Sequence, residues 1–294
     1  MLHPSGVLDS AIGFLRCPQC ACGGAQCAGG GALTRAGESL RCAAGHSFDI
    51  ARSGYVSLFP AGDRKNPGDT AAMVAARHDF LTAGHFAGLS AALAETAAAA
   101  DLATGCVADV GAGTGYYLAA VLDRLPGHVG LALDASKSAL RLAARAHDRV
   151  AAVGCDAWRQ LPVGDQAVDL ALSVFAPRNA TEIARIVRPG GLLLIGTPAA
   201  DHLSELIGPL DMLTVDEAKD ARLAAKLGPH FEREAATEYR ATVPLDHRAV
   251  GLLVTMGPSS WHTEPGDLAA SIAGLPDPVR VTFAVRLASY RPRA

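Results

Sequence analysis

Positive charge is not in excess in this sequence: 26 Lys and Arg stand against 29 Asp and Glu in 294 residues, a formal net charge of −3. That balance argues against strong, sequence-blind adhesion to nucleic acid, which needs many phosphate-neutralising cations. An RNA substrate would require a local basic patch. Also missing is any apolar run of membrane-spanning length, and residues 1–14 lack the basic stretch and apolar core of a secretory leader. A cytoplasmic location with no membrane partner is expected. No internal repeat is present, so repeat architectures are set aside.

What is present is apolar content of 50%, enough for one large core plus a smaller module. Seven cysteines are unevenly placed. Five fall between Cys17 and Cys42, whereas Cys106 and Cys155 stand alone in apolar surroundings. Clustering of this kind points to metal in a reducing compartment. Cys17-Pro-Gln-Cys20 and Cys42-Ala-Ala-Gly-His46 supply three thiolates and an imidazole at spacings that suit a tetrahedral zinc site. Four protein ligands leave no position for water, so Cys17, Cys20, Cys42 and His46 read as structural. Cys22 and Cys27 are alternative ligands. So small a segment has little core, and metal binding would carry much of its folding free energy.

Residues 1–60 therefore read as a zinc-binding module, with short β-like pieces at 47–50 and 55–59. Residues 61–100 read as a polar Gly/Pro linker followed by helices over 70–83 and 89–100. From 101 to 294 short apolar strands alternate with helical segments, the pattern of βαβ units on a parallel sheet. Strands are expected at 106–110, 129–133, 150–154, 168–174 and 191–197, with helices near 115–125, 136–147 and 179–188. Pro189-Gly190-Gly191 is read as the stop of the last helix. Further helices are expected near 201–208, 214–227 and 246–256, with β structure over 231–243 and 280–286 closing the sheet as an antiparallel pair. The expected fold class is a doubly wound α/β domain with a small N-terminal zinc module.

Asp109 lies near the end of the first of these strands, and the turn after it is Gly111-Ala-Gly113-Thr-Gly115. Glycines there let a ligand approach the backbone at the carboxyl end of the sheet, although a plain tight turn gives the same letters. Asp134 and Asp156 end the next two strands on the same edge. The first can accept from two ribose hydroxyls, and the second, with the Ala157 amide, can meet an adenine edge. A nicotinamide site needs Gly-x-Gly-x-x-Gly, with a third glycine for close helix packing. Here Tyr116 occupies that position and Tyr117 and Leu118 follow, which favours S-adenosylmethionine (SAM) and resembles the glycine motif of class I methyltransferases.

The wider set of motifs is more specific. Cys17-Pro-x-Cys20, Cys42-x-x-Gly-His46-Ser-Phe-Asp49, Gly54-Tyr55-Val56, Asn66-Pro-Gly-Asp69, Ala76-Arg77, Phe80-Leu-x-Ala-Gly84-His85, Gly111-x-Gly-x-Gly-Tyr-Tyr117 and Ala176-Pro177 resemble the RlmA/TlrB family of 23S rRNA (guanine-N1)-methyltransferases over nearly the whole chain. The resemblance implies a class I SAM-methyltransferase domain joined to a zinc-binding RNA-recognition domain. Its substrate would be N1 of one guanine in a 23S rRNA hairpin loop. It adds Phe86 and His202 as cofactor contacts by position. Members include macrolide-resistance determinants and can be homodimers, but no interface stripe is evident in this sequence. The Gly- and Cys-rich insert between Cys20 and Cys42 is longer than the family pattern, which bears on the RNA target more than on the chemistry.

A sulfonium is an activated methyl donor, so catalysis is expected to rest on holding nucleophile, methyl and sulfur in line. Guanine N1 must also lose a proton. Asp69 and His85 are candidate acceptors, though Asp69 can equally cap the helix after it and a lone His is usually structural; no catalytic residue is assigned. Phe175 can stack on the target base or fill the core. Arg52, Arg64, Lys65, Arg77 and His78 bracket the module boundary as a candidate phosphate patch or a solvated face. A small-molecule methyltransferase and a non-enzymatic RNA-binding factor are the rival readings.

Overall fold

The five apolar segments from Cys106 onward form strands because each is short, rich in Val, Leu and Ala, and bounded by Gly or Asp. The computed structural model describes residues 4–21, 31–60, 68–212, 219–257 and 265–293. Cys22, Cys27, Arg64 and Lys65 lie outside these, as does the start of the helix expected over 214–227. Three strands, β1 (Leu33–Ala36), β2 (Ser39–Cys42) and β3 (Ser47–Asp49), make a small antiparallel sheet after helices α1 (Pro4–Ala11) and α2 (Pro18–Ala21). A two-residue strand, β4 (Val56–Ser57), and helices α3 (Ala71–Thr82) and α4 (Ala87–Ala98) lead into the large domain.

There the order is β5 (Cys106–Val110), α5 (Tyr116–Arg124), β6 (Val129–Asp134), α6 (Lys137–Ala143), β7 (Val150–Gly154), β8 (Val168–Val174), α7 (Ala180–Ile186) and β9 (Val187–Pro198). The chain ends with α8 (Ser204–Ile207), α9 (Lys219–Leu227), β10 (Phe231–Leu245), α10 (His247–Thr255), α11 (Pro265–Ala273) and β11 (Val279–Pro292). Eight strands form one sheet in the order β10-β11-β9-β8-β5-β6-β7-β4. Pairs from β4 to β9 are parallel, and β11 inserts antiparallel between β9 and β10. The strand order reverses at β5, so its carboxyl end is the switch point where a doubly wound sheet opens a crevice.

Side chains of the central strands alternate between two apolar layers. Val107, Ala132, Leu170 and Leu194 face α3, α4, α5 and α10, while Ala108, Leu131, Ala171 and Ile195 face α1 and α7. The second layer also contains Leu33, Leu40 and Phe48 of the small sheet. The zinc module is therefore packed on the rear core of the sheet rather than tethered to it.

Several boundaries differ from expectation. Val56–Ser57, read as part of the metal module, is the edge strand of the large sheet, pairing with Val153 and Gly154. Pro189-Gly190-Gly191 does not stop a helix but lies inside β9. There the register to β8 shifts between Val168 and Leu170, and Gly190 takes φ +76°. The helix expected over 136–147 closes at Ala143, and that over 201–208 shrinks to four residues after Leu203 in a left-handed conformation. β11 runs well beyond 280–286 because it is held on both sides by β9 and β10. Helices α1 and α11 lacked a sequence signal strong enough to be anticipated.

Candidate active site and metal centre

At the switch point the glycine turn is built around backbone needs. Gly111 has φ +80°, and a Cβ placed on it would lie 2.5 Å from Ala176 Cβ, so only glycine lets the loop after β8 close over this turn. Its amide and that of Ala112 donate to Leu133 O, at 2.8 and 3.1 Å. Gly115, at φ +78°, begins α5 and packs against Ala143 and Ala146.

A cavity of about 440 Å³ opens over this turn, within the range of small-ligand sites. Among the residues expected to contact cofactor, Phe86, Asp109, Gly111, Gly113, Tyr117, Asp134, Asp156 and Ala157 line it. Gly115, Leu118 and His202 do not. Gly115 shapes the turn, Leu118 is wholly buried between α5 and the sheet, and His202 is packed behind Phe175 with ring centroids 5.8 Å apart.

The wall is acidic. Asp134 accepts the amides of Gly113 and Ser136, both at 2.8 Å, which leaves a second lone pair on each oxygen for a ligand. Burial raises its pKa, against the pull of those two amides. Asp109 is fully buried; desolvation, with Asp134 nearby, pushes its carboxyl up to about 7. Asp156 Oδ1 accepts the Trp158 amide at 2.9 Å, and Trp158, 54% exposed, stands at the cavity mouth.

Two residues that reach the cavity from other elements, Asp69 and Arg77, were expected in other roles, as a proton acceptor and in a phosphate patch, while Met73 and Met256 were not anticipated. Arg77 of α3 pairs with Asp69 and donates to Met256 O at 2.7 Å, tying Asp69 to the end of α10. Placed so, it lines the cavity and is only a quarter exposed, which argues against the free phosphate-patch role considered for it. Asp69 does not cap α3. Thr70 does, its hydroxyl accepting from Met73 N at 3.2 Å. Met73 and Met256 also line the wall. The sequence signals for this set were the Asn66-Pro-Gly-Asp69 and Ala76-Arg77 motifs; Met73 and Met256 carried none.

Phe175, just past β8, has φ +52°, a strained conformation for a bulky residue, and is 41% exposed in the cavity wall. Its ring stacks on Phe86, with centroids 6.1 Å apart. His202 Nδ1 accepts from Ala284 N at 3.2 Å, leaving the proton on Nε2, and burial lowers its pKa to about 4. His85, a candidate acceptor of the guanine proton, packs on Phe80 at 4.6 Å and does not line the cavity.

The metal donors of the small sheet converge. Sγ of Cys17, Cys20 and Cys42 and Nδ1 of His46 all lie within 4.8 Å of one another. Cys20–Cys42 is 3.7 Å, and His46 Nδ1 is 3.3 to 3.5 Å from the three sulfurs. Zinc bonds of about 2.3 Å to sulfur and 2.0 Å to nitrogen give tetrahedral edges of roughly 3.5–3.8 Å, and these four distances match a zinc site. Burial raises the Cys42 thiol, but backbone hydrogen bonds from His46 and Ala44 and the neighbouring thiols outweigh it and hold the group at about 6, which favours the thiolate a metal needs.

A crevice at the switch point, a glycine turn, acids at successive strand ends and a separate tetrahedral cluster define a SAM-dependent methyltransferase carrying a zinc ribbon. Residues 107–191 match the model of a methyltransferase domain, and residues 15–66 match that of the N-terminal zinc ribbon of RlmA. A protein of Micromonospora griseorubida assigned as a 23S rRNA (guanine-N1)-methyltransferase is 51% identical, covering 95% of this chain and 97% of its own. The 23S rRNA (guanine(748)-N1)-methyltransferase of Streptomyces fradiae is 47% identical, covering 96% of this chain and 98% of its own. The chain belongs to the RlmA/TlrB family of 23S rRNA (guanine-N1)-methyltransferases. Among solved structures, a SAM-dependent methyltransferase from Thiobacillus denitrificans superposes with TM-score 0.46 at 21% identity, over 68% of this chain and 90% of that one.

Proposed function

We propose that the protein methylates N1 of a guanine in a hairpin loop of 23S rRNA, using SAM held in the acidic cavity, with a structural zinc ion on Cys17, Cys20, Cys42 and His46. The observation that carries this reading is the joint presence of both functional parts, cavity and ribbon, in a chain about half identical to its rRNA-modifying relatives over nearly full length. A small-molecule methyltransferase would have no use for the ribbon.

Bound SAM would supply an electrophilic methyl on a cationic sulfur. Asp134 is suited to the ribose hydroxyls, and Asp156 with the Ala157 amide to the adenine edge. Phe86, the glycine turn and Tyr117 shape the middle of the cavity. Arg77 and Asp69 offer opposite charges where a zwitterionic amino-acid end would sit. Phe175, stacked on Phe86, presents a surface for the guanine, so that N1 is held in line with the methyl; in-line positioning is the main source of rate here. Half-buried and neutral, His202 supports Phe175 from behind.

The test is transfer of labelled methyl from SAM to unmethylated large-subunit rRNA, with the product nucleoside identified by mass spectrometry. The expected product is 1-methylguanosine. Tight SAM binding without transfer to RNA would overturn the rRNA assignment and favour a small-molecule acceptor.

A further inference from the structure

The residue after Ser136, which hydrogen-bonds Asp69 O at the cofactor cavity rim, opens onto a different cavity of about 570 Å³ at the seam between ribbon and sheet. The ribbon contributes Gln19, set between the metal ligands Cys17 and Cys20, and Asp49 of β3. Tyr55 and Phe59 flank the edge strand β4, and Lys137 comes from α6. Aromatic surface, an amide, a carboxylate and an ammonium together match an unpaired nucleotide, which is recognised by stacking, by its base edge and by its phosphate. Phe59 is a fixed platform: a Cβ built on Gly154 would lie 3.0 Å from its ring, so the ring rests directly on the end of β7.

Lys137 sits in the first turn of α6, where the helix dipole disfavours a cation and no acid is present. Helix stability does not explain it. Arg141 follows one turn later on the same face, about 6 Å along the axis, a step comparable with that between successive phosphates of a nucleic-acid strand. Lys137 and Arg141 are both exposed, and neither forms an ion pair among the described residues. Exposed Arg52 follows Ala51, which lines the same cavity.

We propose that the seam cavity and the Lys137–Arg141 stripe bind an unpaired nucleotide and the adjoining phosphates of the RNA strand that carries the target guanine. This rests on the rRNA reading above. It places one strand against both the zinc ribbon and the catalytic domain, so that the metal, by fixing Gln19, orders part of the RNA site.

Hairpin RNA binding by the zinc-loaded protein tests it, measured against salt concentration for Lys137→Glu and for Lys137→Glu/Arg141→Gln. Affinity should fall about tenfold in the first and further in the second, and the log–log salt slope should drop by about one per lost phosphate contact. SAM affinity and zinc content should not change, and Lys137→Glu should keep or raise the melting temperature, since an acid suits that helix position. Phe59→Leu should weaken binding without changing the salt slope; unchanged affinity in it overturns the stacking role. Wild-type affinity and slope in the double variant, from a protein that still makes 1-methylguanosine, overturn the whole inference. A wild-type protein that makes no 1-methylguanosine overturns the rRNA reading on which it rests.

Discussion

The zinc ribbon and the catalytic sheet are stabilised by different physics. In the sheet, β5, β7 and β8 are buried along their whole length, and two apolar layers cover it. In the ribbon three strands of three or four residues contribute Leu33, Leu40 and Phe48 to a core that belongs mainly to the sheet. Hydrophobic burial suffices for the first, while four side chains around one metal position organise the second. Ligand chemistry should divide the same way, with SAM affinity set by the sheet edge and RNA affinity dependent on the ribbon.

Removing the metal is the sharpest way to break that division. Stripping zinc with a chelator, or making Cys42→Ser, forfeits about 10 kcal/mol or more of metal-binding free energy. The expected result is a melted ribbon and loss of rRNA methylation, while SAM affinity, read by calorimetry, changes little. Concerted loss of SAM binding would mean that α1, β4 and the ribbon form one cooperative unit with the sheet.

The converse change is Asp134→Ala. It removes the acceptor of the Gly113 and Ser136 amides as well as the proposed ribose contact. SAM affinity should fall by about 3 kcal/mol, roughly a hundredfold, with zinc stoichiometry and hairpin binding retained. Loss of zinc in this variant would contradict the separation of the two regions.

A smaller effect concerns pH. Asp109 has its pKa raised from 3.8 to about 7 by burial and the nearby Asp134, so the fold favours its protonated form. The stabilisation is complete at low pH and is lost as pH rises through about 7. A cationic ligand favours the ionised carboxylate, so SAM binding should release a proton and strengthen as pH rises from 5 to about 7. Calorimetry in buffers of different ionisation enthalpy reads that proton directly. No release near pH 6, or affinity that falls across this range, would show that Asp109 does not face the positive charge of the cofactor. The zinc site should be silent in the same experiment.

Alternation of apolar strands and helices was enough to define the doubly wound sheet, because each buried strand must be short, continuous and bounded by a turn. Acids at the ends of those strands then fell on one edge, so the sequence placed Asp109, Asp134 and Asp156 at what is one cavity. Metal-ligand spacing made Cys17, Cys20, Cys42 and His46 equally legible, because a tetrahedral ion tolerates few arrangements. Tertiary structure alone decided the rest. Arg77 meets Met256 O across 179 positions of chain, a contact with no local signal. Packing turned Gly115 and Leu118 into support for the turn rather than cavity wall, because Ala143, Ala146 and the sheet claim that side of α5. Sheet closure gave Val56–Ser57 to the large domain and carried β9 through Pro189-Gly190-Gly191, since backbone hydrogen bonds from a neighbouring strand outweigh the local turn preference of those residues.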